Sequence, residues 1–513
     1  MALAAAGGGC AAASDAARPD DLLKAAVSAH GRTRIEATDA VLTMAERLAE
    51  VGQAAPAERI YRTLWDASGA PAHRHVRCAA IRGLARVLGP AAVDDLAAAM
   101  AGRDGQVAAS AMQAAARVPG QDVTRAWVER LASAPAVVRP RIVRILGRRG
   151  GPAAAEAVLA ALGSDQDAVR RAAIEAAGGL ATPHAVRALI GLLEAEDSGD
   201  RAAAEAALAR LQGPGVSAAV AAHLPEARPA VRVRLIQVLS ARAARDQADA
   251  VAACLEGGAV GVQTAALKAL AVLGGEAHVP AILDALVAAG NEGVRRSAAR
   301  ALVSIGPGAE AGRFVPRVVG AMEKAGPEAR CALLRVLSAA ATPRGLSAVR
   351  QALGAGEEAV RETAVRVLAD WPGTAAAADL LAIARGAEET KHRVLALRGY
   401  IRLAGREEKV AERTRMVGRA LSAAERVEER RLALAALAEV PTPEALRLAL
   451  AHMEEASLRS EAAAAVLGIA EGIAAEHPAD ARAGLEAVLR AVEAGRLRQR
   501  AERLLERLRE GGR

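Results

Sequence analysis

The chain has 513 residues, of which 52% are apolar but only 1% aromatic, with 67 basic side chains against 59 acidic ones. The aromatics reduce to Trp65, Trp127, Trp371, Tyr61, Tyr400 and Phe314, too few for a sheet-built core, while the abundance of Ala, Leu, Glu and Arg favours helix. The net charge of +8 is spread over closely interleaved acids and bases. That pattern is a mixed-charge solvated surface and not a dedicated polycation.

In chain order, residues 1–34 form a low-complexity start expected to be disordered. Within it, Met1–Ser14 is apolar but lacks a basic start. The Gly-Gly-Gly-Cys run ending at Cys10 lacks the leucine that a lipoprotein cleavage site would place at Gly7. Residues 35–72 are expected to form a helical hairpin that caps the repeats C-terminal to it. Gly52, Ala57 and Tyr61 in it have the spacing of a tetratricopeptide unit's turn glycine, packing alanine and aromatic.

Residues 73–477 are expected to be a repeat array. From Val169, apolar residues come at Ala173, Ala176, Ala177 and Leu180, one face of a helix, and the same offsets recur from Val262, Val294 and Val360. The residue after each such valine sets a register: Arg77, Ala108, Arg139, Arg170, Arg201, Arg232, Gln263, Arg295, Arg330, Arg361, Arg393, Arg430 and Ser460. Thirteen residues beyond the register stand Pro90, Pro152, Pro183, Pro214, Pro343 and Pro443, three of them after a threonine (Thr182, Thr342 and Thr442). Threonine suits an N-cap and proline the first helical position, so each marks the start of a second helix. A single helix pair cannot bury both apolar faces, and neighbours must stack. Residues 478–513 are expected to be capping helices, because Leu497, Ala501, Leu504 and Leu508 make one narrow stripe on an otherwise charged helix.

The resulting fold class is all-α, an α-solenoid (superhelix) of about thirteen helix-pair repeats. The register and the proline-led second helices resemble HEAT repeats of the PBS-lyase-like variety, over roughly Arg77 to Pro478. Trp371-Pro372 and the run from His392 to Gly405, with the segment Tyr61–Gly83, are similar to long HEAT-repeat proteins of planctomycete-like bacteria. The resemblance implies an armadillo-like helical, protein-binding bacterial scaffold, often exported. In that group the arrays often precede a sugar-modifying or haem-binding domain. No Cys-x-x-Cys-His haem motif occurs here, so no cofactor residue carries over.

Candidate chemistry is sparse. The register arginines oppose the dipole of the helix they begin, at about 0.3–1 kcal/mol each. They are therefore expected to form an internal ladder to acids or carbonyls of adjacent turns (Asp165 or Asp167 for Arg170, Glu357 or Glu358 for Arg361), the other reading being a ribbon for phosphates. His73, His75 and Cys78 straddle a loop and a helix start and are not taken as metal ligands, the histidines being read as exposed loop residues, and Trp371 and Tyr400 are taken as core. None of the nine histidines is followed by Glu, the dipeptide with which HEAT-like hydroxylases hold iron. No nucleophile elbow, phosphate loop or zinc-protease motif is present. Cys10, Cys78, Cys254 and Cys331 are too widely spaced to pair and are expected as free thiols. The longest uncharged stretch, Leu211 to Pro225, is too short to span a membrane.

No catalytic, cofactor or metal residue is nominated, no cofactor is expected, and the binding surface is left unassigned. The expected function is a non-enzymatic protein–protein scaffold, a monomer holding its partner along the second helices. The alternatives are non-specific nucleic-acid binding through a basic face and a pigment-lyase or chaperone-like subunit.

Overall fold

A computed structural model describes residues 19–180 and 182–510, all helix and turn with no strand among them. The chain divides into two compact units after Gln247. The first unit begins with α1 (Pro19–Ser28), α2 (Gly31–Glu50) and α3 (Ala54–Ala67). Helix pairs come next: α4 (Arg74–Leu88) with α5 (Val93–Ala101), α6 (Gly105–Arg117) with α7 (Gln121–Ser133), and α8 (Arg139–Arg149) with α9 (Pro152–Ala161). Then come α10 (Asp167–Ala177) with α11 (Pro183–Leu192), α12 (Ser198–Arg210) with α13 (Val216–Ala222), and lastly α14 (Pro229–Ala241).

The second unit opens on α15 (Ala248–Ala253) and continues with α16 (Val260–Leu273) and α17 (Val279–Ala288), then α18 (Glu292–Ile305) and α19 (Ala311–Lys324). Next are α20 (Pro327–Ala340) and α21 (Pro343–Ala352), α22 (Glu358–Ala369) and α23 (Ala377–Gly386), and α24 (Thr390–Ala404) and α25 (Val410–Ala423). It ends on α26 (Val427–Leu437) with α27 (Pro443–Leu450), α28 (Arg459–Ile473) with α29 (Pro478–Ala491), and α30 (Arg496–Glu510).

Within each unit a first helix packs on its own second helix and on the first helix of the next pair, as α8 does on α10 and α22 on α24. The apolar offsets supply that packing: Val262, Ala266, Ala269, Leu270 and Leu273 are all buried along one face of α16. Leucines and isoleucines in such rows contribute about 1.5–3 kcal/mol each by leaving water. The many alanines let the helices come close. A Cβ added at Gly147 of α8 would stand 2.5 Å from the Ala176 Cβ of α10.

The proline marks hold at Pro152, Pro183, Pro343 and Pro443, each the first residue of a second helix. Thr342 and Thr442 cap as expected, accepting from the Gly345 and Ala445 amides. Thr182 makes no such bond. Two marks are corrected. Pro90 sits in a short 3-10 turn ahead of α5, and Pro214 two residues before α13, because the linking turn there is longer by a few residues.

At the N-terminus, residues 1–18 lie outside the described residues, and from Pro19 onward the expectation of a disordered start to residue 34 is corrected. α1 packs on α2 and buries Ala26, and Asp20 reaches Arg59 of α3 at 3.1 Å. In the α2–α3 hairpin, Gly52 takes the positive φ of 77° that the tight turn needs. Tyr61 lies buried against Gly83 of α4, where a Cβ would come within 2.3 Å of its ring. At the other end, α30 buries Ala501 and Leu504 as expected and Leu505 besides.

Candidate binding surface

The register arginines turn inward to the main chain. Arg139 Nε donates to the Ala134 carbonyl at 2.9 Å, Arg170 to Ser164 at 2.9 Å, Arg201 to Ala195 at 2.6 Å and Arg232 to Pro225 at 2.8 Å. In the second unit Arg295 reaches Ala289 at 2.6 Å, Arg330 Met322 at 3.2 Å, Arg361 Gly356 at 2.7 Å and Arg393 Ala387 at 2.9 Å. Every acceptor lies at the end of the preceding second helix or in the turn just after it. The cation that opposes the dipole of its own helix thus sits on the negative end of the one before. Gln263 makes the same bond to Leu255 with a neutral amide.

The irregular rungs are filled by other means. Where the register holds Ala108, Arg141 of the next pair donates to the Met100 carbonyl. Where it holds Ser460, the preceding Arg459 reaches Met453. Arg77 lies 4.2 Å over the Trp65 ring, and Arg430 bonds Glu455 and His452. Of the acids expected as partners, Asp167 does bond Arg170, whereas Arg361 uses carbonyls in place of Glu357 or Glu358. A second row closes the other edge. Arg149 donates to the Ala115 and Gly120 carbonyls and Arg242 to those of Leu208 and Leu211, each reaching back one repeat. Burial lowers both guanidinium pKa values.

The column before the register, read as valine from sequence, holds Ala329 and the exposed Arg459 as well, and three buried polar residues, Asp200, His392 and Glu429. The preceding first helix partners each acid: Arg170 meets Asp200 at 2.6 Å, and Arg398 meets Glu429 at 2.8 Å. Sequence reasoning missed these three positions, although a polar residue in a mostly apolar column was the available signal.

Other sequence candidates settle simply. His73 ends a 3-10 turn, but His75 lies within α4 and so is helical, not a loop residue. No group of three or more metal-binding side chains occurs among the described residues. Cys78 and Cys331 are free thiols, and the buried Cys254 thiol donates to the Ala250 carbonyl at 3.5 Å. Cys10 lies outside the described residues. Tyr400 and Trp371 are buried, Trp371 just past the end of α22 and not within it. Burial raises the Tyr400 pKa, and the nearby Arg419 opposes that rise. No helix of the described residues is long and apolar enough to cross a membrane.

What remains outward is the exposed face of the first helices. Five residues after the register it reads Arg82, Gln113, Arg144, Glu175, Ala206 and Gln237 through the first unit. Three residues after the register, the core column reads Ala80, Ala111, Ile142, Ala173, Ala204 and Leu235, every one fully buried.

The family model for HEAT repeats matches residues 124–209. Those residues of the chain are HEAT repeats. Among curated proteins none matches its sequence. Among solved structures it is similar to yeast importin-β (Kap95p), at 13% identity over 94% of this chain and 78% of that chain, with a TM-score of 0.35. It is also similar to the karyopherin Kap121p bound to the SUMO protease Ulp1p, at 15% identity over 95% of this chain and 57% of that one, TM-score 0.44. A homology model of the full-length AP-3 complex matches at 11% identity over 97% of this chain and 94% of that one, TM-score 0.43. The likeness is one of fold alone.

Proposed function

We propose that this HEAT-repeat chain is a non-enzymatic scaffold that binds another protein. The observation that carries the reading is the contrast between its two columns. The buried one repeats a single chemistry from pair to pair, while the exposed one changes at every step. A core of that kind holds neighbouring helices in register through nearest-neighbour interfaces. An outward column that varies between cation, amide, acid and alanine presents a distinct pattern at each step, as recognition of one partner requires. The register arginines are not that recognition surface, because main-chain carbonyls, or for Arg77 the Trp65 ring and for Arg430 Glu455 and His452, already occupy them.

The test is purification of the chain from its native cells after nuclease treatment, then cross-linking and mass spectrometry. The expected result is a protein partner cross-linked to exposed first- or second-helix residues. Recovery of nucleic acid alone, with binding abolished by nuclease, would sink the reading in favour of a basic nucleic-acid face.

A further inference from the structure

The first helices α4, α6 and α8 carry four, one and five arginines and no aspartate or glutamate. Half of these cations have internal work: Arg74 pairs with Asp104, Arg77 covers Trp65, and Arg139, Arg141 and Arg149 bond carbonyls. The other five point outward as two rows, Arg82 and Arg144 flanking Gln113, and Arg86, Arg117 and Arg148 one turn further along. Arg82 leans on the Ser110 hydroxyl at 3.1 Å and Arg86 on the Glu46 carbonyl at 3.3 Å. Arg117 and Arg148 make no ion pair or hydrogen bond among the described residues. Arg82, Arg148, Gln106, Ser110 and Gln113 line an open depression on this face.

Resting on the scaffold reading, we infer that this depression is a docking surface for an extended acidic segment of a partner protein. Arg117 and Arg148, at the middle and far end of the second row, have no carboxylate partner. Asp104 is already bonded to Arg74 and to two amides of its own helix, Glu175 of α10 ends the patch at Arg144, and Glu46 of α2, whose carbonyl Arg86 meets, ends it on the other side. A polymer of phosphates crossing the face would run onto that acidic border, whereas a short segment fits inside it. The two glutamine amides point the same way. Each both donates and accepts, as a peptide backbone does, while a phosphate backbone offers acceptors only. First helices of adjacent pairs pack about 8–10 Å apart, which an extended segment in the polyproline II conformation, rising about 3.1 Å per residue with three residues per turn, covers in one turn while keeping every third side chain on one face. Carboxylates at every third position would therefore meet Arg86, Arg117 and Arg148 in turn. This puts one docking surface on the first helices, apart from the second-helix surface that the sequence suggested.

The experiment measures binding of labelled poly-L-glutamate and of a duplex DNA of matched charge to the full chain at several salt concentrations. It is repeated with Arg117→Glu/Arg148→Glu and with Arg300→Glu/Arg335→Glu, exposed cations of the second unit that give the same change in net charge. The expected result is poly-glutamate binding that weakens by about tenfold or more in the first variant and by much less in the second. Equal loss in both variants, no loss in either, or no binding to the wild type would overturn the inference. Tighter binding of the duplex, lost in the first variant, would make the patch a nucleic-acid surface instead. A native protein partner still captured by the first variant would leave the scaffold reading standing and remove this surface from it.

Discussion

The first helices α4, α6 and α8 of the first unit and α22, α24 and α26 of the second occupy equivalent slots yet treat charge in opposite ways. In the second group each outward cation has a carboxylate beside it. Lys391 is held by Glu358, Glu362 and Glu389, Arg366 by Glu362, Arg402 by Asp370 and Arg431 by Glu461. Glu358 foremost, and then Glu389, hold the Lys391 ammonium well above the usual lysine range. In the first group Arg74 and Arg144 are paired, with Asp104 and Glu175, but Arg82, Arg86, Arg117 and Arg148 have no carboxylate partner and stay open. One scaffold therefore yields a face closed on itself and a face open to a partner, and exposed side chains alone make the difference, since the carbonyl ladder is common to both.

The sharpest way to break that comparison is at Glu429. Its carboxylate is 1% exposed and takes both bonds from Arg398, with Arg426 at 3.6 Å. Arg398→Ala is expected to destabilise the second unit by about 3 kcal/mol, because it strands a buried charge. Adding Glu429→Val, which restores the residue most repeats carry there, should recover most of the loss in a thermal melt. A double variant as unstable as the single one would show that the pair is not what closes this seam.

A smaller effect is expected at the shared ladder. Arg361→Ala removes bonds of 2.8 and 2.7 Å to the Ala355 and Gly356 carbonyls. It should lower stability by about 1–2 kcal/mol and leave partner binding unchanged. Lost binding with an unaltered melt would move the ladder to the ligand surface.

In the first unit, Asp104 offers a pH handle. Arg74 foremost, and then the Val107 and Gln106 amides, hold its carboxyl below the usual carboxylate range. A depressed folded value means that the contribution is present above the unfolded pKa of about 3.9 and is lost as pH falls through the folded one. Asp104→Asn keeps a good helix cap but cannot titrate. Its melting temperature should fall less steeply below about pH 4 than that of the wild type. Parallel pH profiles would show that this carboxylate does not contribute.

The smallest effect on stability belongs to the open face. Arg117→Glu/Arg148→Glu should shift stability by no more than about 0.5 kcal/mol, as exposed unpaired groups do. A large drop in the melt would mean that these arginines hold the fold together and are not reserved for a partner.

The period of the chain was legible without coordinates, since a helix that must bury one face writes Val169, Ala173, Ala176 and Ala177 at fixed offsets. The threonine–proline caps at Pro343 and Pro443 were legible for an equally local reason. Less legible were Pro90 and Pro214, whose turns differ by a few residues from the others, and the helix from Pro19. Its ten residues are too few to show a clear period of their own, and the partner that buries Ala26 is α2. The buried acids Asp200 and Glu429 were hidden because a carboxylate in an apolar column makes sense only beside an arginine about thirty residues away.

By itself the sequence determined an all-helical repeat protein, because backbone propensity and one-sided burial act over a few residues and leave a periodic trace. Only the tertiary structure decided what each arginine does. A guanidinium at a helix start looks the same in sequence whether it caps the helix before it, as Arg201 and Arg361 do, neutralises a buried acid, as Arg170 does, or stacks on an aromatic, as Arg77 does. Its partner is chosen by which turns the packing of neighbouring pairs brings within about 3 Å, and that distance is set across repeats, where a linear pattern carries no record of it.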